Sequence, residues 1–248
     1  SYLDDSGEPG SVPVLANLNF TIEPGETVAI LGQTGSGKTS LINLIPRFYD
    51  TTEGAVLIDG HDVRDLEIAA LRKQIGIAPQ QPALFAGTIA ENLRYGAPGA
   101  PFEAIQEAAV IADAHEFICA QVNGYNSEVA EQGNNLSGGQ RQRISLARAL
   151  AIDPRILLLD DTTSAVDVAT EARIQQHLRE ALRGRTVVIV AQRISTAIGA
   201  DKIVLLDRGE VDAIGSHAEL MASSETYAQI VESQLGSIDE VVELLEQR

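Results

Sequence analysis

The chain has 248 residues, a formal net charge of −17 and an apolar fraction of 44%. That length can bury a substantial core in one domain or two tightly associated subdomains, while the excess of acid opposes a nucleic-acid partner, whose phosphates need Lys and Arg. Aromatics at 4% with no Trp leave no base-stacking platform, and the single cysteine, Cys119, rules out an internal disulfide and a Cys-cluster zinc site.

No stretch approaches the roughly 18 consecutive apolar residues that a membrane span requires. There is no signal peptide, so the chain reads as soluble. It opens abruptly at SYLDD, which suggests a piece of a longer polypeptide.

In chain order, TVAIL (27–31) is a short apolar run, followed by a Gly-rich loop and a helix-like stretch, KTSLINLI. AVLID (55–59) and QIGIAP (74–79) read as further strands. Residues 88–151 hold no convincing strand. Instead FEAIQEAAVIADA sets Ile105, Ala108, Ala109 and Ala112 at helical spacing, and GYNSEVAEQGNN breaks the helices. Cys119, in the apolar EFICAQV, is expected to be a buried structural thiol. Strands return as RILLLD (155–160), TVVIVA (186–191) and KIVLLD (202–207), separated by polar helices such as TEARIQQHLREAL. Continuous β-branched runs alternating with helices indicate an α/β fold with a mainly parallel sheet. A helical subdomain of roughly 65 residues interrupts it. The tail SIDEVVELLEQR aligns Ile238, Val241, Val242 and Leu245 on one helix face, either docked on its own domain or offered to a partner.

Two motifs carry chemistry together. Gly32-Gln33-Thr34-Gly35-Ser36-Gly37-Lys38-Thr39 fits G-x-x-x-x-G-K-[ST] in full, after an expected strand and before an expected helix. Glycines let the backbone curl until successive N–H groups point inward as an anion nest, and the next helix aims its positive dipole end at the same place. Lys38 supplies a cation for the β- and γ-phosphates and Thr39 a hydroxyl for Mg²⁺. The apolar strand ILLLD ends in Asp160, at the carboxyl edge where open α/β sheets bind ligands. Mg²⁺ takes oxygen ligands and keeps several waters, so Asp160 is expected to hold the ion through water, opposite Thr39.

The third motif, Leu136-Ser137-Gly138-Gly139-Gln140 followed by RQRISLARAL, resembles the signature of the ABC ATPase family. This resemblance covers nearly the whole chain. It implies a P-loop NTPase (RecA-like) core over 1–82 and 152–235 with a small antiparallel β subdomain, a helical subdomain over 83–151 that carries the signature, and a C-terminal helix over 236–248. It implies ATP and Mg²⁺ as ligands. The nucleotide would lie against Gly32, Thr34, Gly35, Ser36, Gly37, Lys38, Thr39 and Ser40, and Tyr2 resembles the aromatic that stacks on adenine. The metal set would be Thr39, Gln80 and Asp160, with Gln80 matching the Q-loop glutamine that links to the membrane part. Ser137, Gly138, Gly139 and Gln140 would face ATP bound to a second nucleotide-binding domain in a head-to-tail dimer. Ser164-Ala165-Val166-Asp167 resembles the loop that crosses that interface. GTIAENL and SEVAEQG, the latter with Glu131, resemble exporter-type segments that touch transmembrane domains, which places the domain at the cytoplasmic face of a membrane.

Two positions depart from the family pattern. Asp161 stands where a general-base Glu is normal, one methylene short, and such a base contributes about 10²–10⁴ in rate. Gln192 stands in IVAQRIST where a switch His is normal, and Gln cannot take a charge. With an intact P-loop and signature, the pair resembles the degenerate-site half of a heterodimeric exporter, whose partner is non-identical. A homodimeric exporter and a soluble ABC ATPase are the alternatives. His61, His115, His177 and His217 lie elsewhere and are expected to be surface or capping residues.

Overall fold

The computed structural model describes residues 13–235. Tyr2 and the 236–248 tail therefore lie outside the described residues. In chain order the elements are β1 (Thr27–Gly32), α1 (Lys38–Leu44), β2 (Leu57–Ile58), β3 (His61–Asp62), α2 (Ile68–Lys73), β4 (Ile75–Ala78), β5 (Gly87–Thr88) and α3 (Ile89–Arg94). There follow α4 (Phe102–Ile111), α5 (His115–Cys119), β6 (Glu128–Val129), α6 (Gly138–Leu150), β7 (Ile156–Asp160) and α7 (Val168–Ala181). The chain ends its described part with β8 (Thr186–Val190), α8 (Ile194–Ala197), β9 (Lys202–Asp207), β10 (Glu210–Gly215), α9 (His217–Ser223) and α10 (Glu225–Leu235). Two compact units result: residues 13–54 with 189–235, and residues 55–188.

In the first unit, β1 runs parallel to β9, in register from Val28 opposite Lys202 to Gly32 opposite Leu206. Val28 to Leu31 and Ile203 to Leu206 are all buried, as expected of parallel strands covered on both faces. β10 pairs antiparallel with β9 through a tight turn at Arg208 (φ 47°) and Gly209 (φ 83°), the left-handed pair that a two-residue hairpin demands. Its alternating exposure marks a half-covered strand. Tyr227 of α10 is fully buried, and its hydroxyl lies 2.8 Å from His217 Nδ1.

In the second unit, β4 pairs parallel with β7 from Ile75 opposite Ile156 to Ala78 opposite Leu159. The buried face of α6 supplies Ile144, Leu146 and Ala147. Buried Asn92 of α3 donates to the Phe85 and Thr88 carbonyls at 2.8 and 3.0 Å. Arg148 of α6 ties to the same place. Its guanidinium donates to Ala83 O at 2.7 Å, Asn92 O at 3.0 Å and Asn92 Oδ1 at 2.7 Å. It also lies over the stacked rings of Phe85 and Tyr95, at 5.3 and 5.7 Å from their centroids.

Four expectations change. The run 55–59 yields only the two-residue β2, which turns back through Asp59 (φ 50°) and Gly60 (φ 78°) to pair with β3. Residues 88–151 do contain strand, the short β5–β6 pair. Cys119 is exposed rather than buried, because the five-residue α5 turns only Ile118 fully inward. Three histidines do more than cap: His115 Nδ1 sits 2.9 Å from the Tyr125 hydroxyl, like His217 with Tyr227, and His177 has a buried Nδ1. Burial pushes the Tyr125 hydroxyl up to about 12, with Cys119 adding to the shift.

Candidate functional site

The Gly-rich loop lies in the first unit, between the end of β1 and the start of α1. Gly32 (φ 152°) leaves no room for a side chain: a Cβ there would run into the Leu206 carbonyl and the Ser36 hydroxyl. Gly37 (φ 99°) caps α1 in the left-handed region, where a Cβ would strike the Leu15 side chain. Ser36 N–H closes the turn on Gln33 O at 3.1 Å, and Ser36 O accepts from Gly209 N–H at 3.1 Å. Lys38 folds back over the curl, its ammonium donating to Gly32 O and Gln33 O at 2.8 Å each.

One polar atom in this loop calls for a ligand. Ser36 is 4% exposed, and its Oγ finds no hydrogen-bond partner among the described residues. A buried hydroxyl without a partner costs free energy unless something fills the site. An anion held in the curl, beside the Lys38 ammonium, answers that need. The residues present thus fit a phosphate group.

Gln192 lies in the same unit, exposed, just past β8. Ala191 N–H anchors the strand end on Ile30 O at 3.1 Å. The Gln234 amide of α10 then pins the turn: its Nε2 donates to Gln192 O at 3.1 Å, and its Oε1 accepts from Ile194 N–H at 2.8 Å. Gln234 escaped sequence reasoning, since nothing local signals a partner 42 residues away.

The second unit gathers the other expected residues. Asp160 ends β7 and is 6% exposed. Asp161 follows in the left-handed region (φ 50°), and Gln80 Nε2 approaches its Oδ2 at 3.4 Å. Ser137 caps α6 with a capping box: its Oγ accepts from Gln140 N–H at 3.2 Å, and Gln140 Oε1 accepts from Ser137 N–H at 2.9 Å. A hydroxyl that accepts in this way keeps its own proton to donate. Asp167 caps α7, and the N–H and hydroxyl of Thr170 hold its carboxyl below the ordinary range. Glu131 is exposed, in a short turn where Gln132 takes φ 57°. Gln142 was missed, although the sequence carries a signal: it lies four and seven residues before Leu146 and Ala149, a polar residue on the apolar face of α6. Among the described residues no group of three or more His, Cys, Asp or Glu could hold a metal. Mg²⁺ bound largely by phosphate and water needs none.

Comparison with known proteins decides the family. The family model described as "ABC transporter" matches residues 15–164, more than half of the chain. The chain belongs to the ABC transporter family. Over 222 residues this ABC transporter domain is 48% identical to an ATP-dependent lipid A-core flippase of Syntrophus aciditrophicus (strain SB), covering 90% of the chain and 37% of the flippase. It is 47% identical, again over 222 residues, to a Staphylococcus aureus (strain NCTC 8325 / PS 47) protein provisionally named as a multidrug export ATP-binding/permease protein, covering 90% of the chain and 38% of that protein. A solved bacterial Atm1-family ABC exporter with ATP bound matches with a TM-score of 0.89 at 38% identity, over 94% of this chain and 41% of that one. The chain thus spans well under half the length of each of these relatives. The expected α/β ABC ATPase fold is borne out. No helix among the described residues is long and apolar enough to cross a membrane.

Proposed function

We propose that this chain is the ATP-binding, energy-coupling domain of an ABC exporter, working at the cytoplasmic face of a membrane. Its core would comprise 1–82 and 152–235, its helical subdomain 83–151 and a C-terminal helix 236–248. Gly32 to Gly37, with Lys38, Thr34 and Ser40, hold the triphosphate, and Tyr2 stacks on the base. Thr39, Asp160 and Gln80 hold Mg²⁺, which neutralises phosphate charge when bound. Ser137 donates its hydroxyl proton, with Gly138, Gly139 and Gln140 beside it, to ATP carried by a second nucleotide-binding domain. Transmembrane domains engage the region around Gln80. The two relatives match almost equally well and carry different cargoes in their names, so likeness in this domain does not select a cargo.

The domain's own site is the slow one of a non-identical pair. The observation that carries this is the acid after β7. Asp161 is one methylene shorter than the Glu normal to the family at that position, which leaves its carboxylate about 1.5 Å short of the base's usual reach, and Gln192 cannot store a proton. Asp161 would thus orient water weakly, and Gln192 would hydrogen-bond the γ-phosphate without charge. The partner contributes a competent site, which this chain's Ser137 turn completes.

The test is hydrolysis by the full-length protein, alone and with its candidate partner. Nucleotide should be retained at this chain's site for many turnovers of the other, and Ser137→Ala should depress the partner's turnover far more than ATP binding here. Equal turnover at both sites refutes the asymmetric reading. Failure to bind Mg-ATP at all refutes the function itself.

A further inference from the structure

A polar side chain buried beneath the signature turn has no part in the chemistry described so far. Gln142 is 5% exposed, yet both ends of its amide are engaged. Its Oε1 accepts from Ala165 N–H at 2.9 Å, and its Nε2 donates to Ser164 Oγ at 3.0 Å. The orientation is fixed, because a backbone N–H can only donate and so must face the amide oxygen. Ser164 Oγ, accepting from Gln142, spends its proton on Asp161 O at 3.1 Å. The Asp161 carboxylate in turn accepts from Gln80. One hydrogen-bonded line therefore runs from α6 through the 161–165 loop to the segment after β4.

Packing agrees with this line. A Cβ on Gly139 would stand 3.0 Å from Ala165 O and 3.3 Å from Val166 Cγ1, closer than the loop tolerates without moving. A Cβ on Gly138 would meet the Ala165 methyl at 3.5 Å, an ordinary contact. Of the glycine pair, the second is thus demanded by the loop that lies against it. Further along the same helices, Asp113 serves two arginines. Arg143 of α6 donates to its carbonyl at 2.7 Å, while the Arg173 fork of α7 grips its carboxylate at 3.0 Å twice. Helix α6 and the segment from Asp161 to Arg173 are thus joined at two points, directly through Gln142 and indirectly through Asp113, which Arg143 and Arg173 share.

We infer that Gln142 is a positioning residue that joins the signature turn to the loop after β7, so that a nucleotide phosphate seated on Ser137–Gly139 fixes the backbone of Asp161 and, through it, Gln80. The inference rests on the head-to-tail pairing proposed above. It adds to that pairing a route inside one protomer: occupancy of the site completed by this chain's signature is felt at this chain's own carboxylate. Such a claim requires measured coupling, since a line of contacts alone does not establish one.

The experiment is hydrogen exchange on the full-length protein with its partner domain, read on peptides covering 136–141 and 163–167, with and without Mg-ATP. In the unaltered protein, nucleotide should slow exchange in both segments. In Gln142→Ala it should slow only 136–141, and kcat should fall by about tenfold with KM within about twofold, the pattern of an interaction realised beyond ground-state binding. Ser164→Ala, at an exposed position, removes the same bridge without emptying a buried site and should uncouple the segments in the same way. The two changes together should cost no more than one alone, as members of one unit do. Nucleotide protection of 163–167 that survives in both variants, or effects on kcat that multiply, overturns the role of Gln142 and leaves the dimer reading standing. Absence of nucleotide protection at 136–141 in the unaltered protein overturns the dimer reading, and the relay with it.

Discussion

Asp161→Glu lengthens one side chain by a methylene, about 1.5 Å of reach. A general base must come within about 2.6–3.2 Å of its target, and an acid one methylene short falls outside that window. A misplacement of roughly 1 Å costs on the order of 10²-fold in rate. The variant is therefore expected to hydrolyse ATP at this site about 10²-fold faster, which is about 2.7 kcal/mol at 1.36 kcal/mol per decade. The ceiling is the full worth of a general base, about 10⁴-fold. A counterweight is visible in the backbone. Position 161 sits at φ 50°, a left-handed conformation that Asp adopts more readily than Glu. That preference affects folding stability, by up to about 1 kcal/mol, rather than the rate. The assay is single-turnover hydrolysis in the assembled transporter with the partner's own catalytic site disabled, so that only this chain's site is read. ATP affinity should change little. Adding Gln192→His should raise the rate again. A gain below about threefold, with the nucleotide still bound, would show that the acid's reach is not what limits this site.

Gly32→Ala should abolish high-affinity nucleotide binding, because its Cβ would enter the Leu206 carbonyl and the Ser36 hydroxyl. Calorimetry should register at least a tenfold loss, about 1.4 kcal/mol, alongside a lowered melting temperature. Arg148→Ala strips three hydrogen bonds and the two ring contacts from the junction of α6 with α3. Urea unfolding should show a loss of about 2–3 kcal/mol, the cost of losing charge-assisted hydrogen bonds and leaving buried acceptors unsatisfied. Arg148→Lys should rescue little, since an ammonium lacks the planar fork. Asp167 has a folded carboxyl below its ordinary value of 3.8, chiefly through the Thr170 N–H. The sign follows: its stabilisation is complete above the unfolded value and disappears as pH falls through the depressed folded one. Asp167→Asn keeps the cap without the charge. Acid unfolding followed by circular dichroism should therefore be flatter below pH 3.8 in the variant.

The parts of this domain that were legible in sequence are those where backbone conformation forces a residue type. Gly32 and Gly37 are written into the chain because no side chain fits there. The signature is legible for a second reason: Ser137 and Gln140, three apart, form a capping box that announces a helix start. Long buried strands such as Ile156–Asp160 announce themselves by apolar continuity. The β2–β3 and β5–β6 pairs do not, because two residues carry no period. The exposure of Cys119 was hidden for a related cause, since a five-residue helix has too few positions to display a face. Gln142 lay half-visible as a polar interruption of an apolar stripe. Gln234, by contrast, reaches the turn after β8 from another helix, and only the folded chain brings them together.

A protein of net charge −17 that binds a polyanion looks contradictory only if charge is counted over the whole surface. At physiological salt the Debye length is about 8 Å, so exposed acids farther away are largely screened from a seated phosphate. What the phosphate meets is local: backbone N–H groups that carry no net charge, the buried Ser36 hydroxyl and the Lys38 ammonium fixed by two carbonyls of its own loop. Affinity is then set by the shape of the curl rather than by the sum of surface charges. Neutralising distant acids changes how often the nucleotide arrives, whereas one methyl group on Gly32 changes whether it can stay.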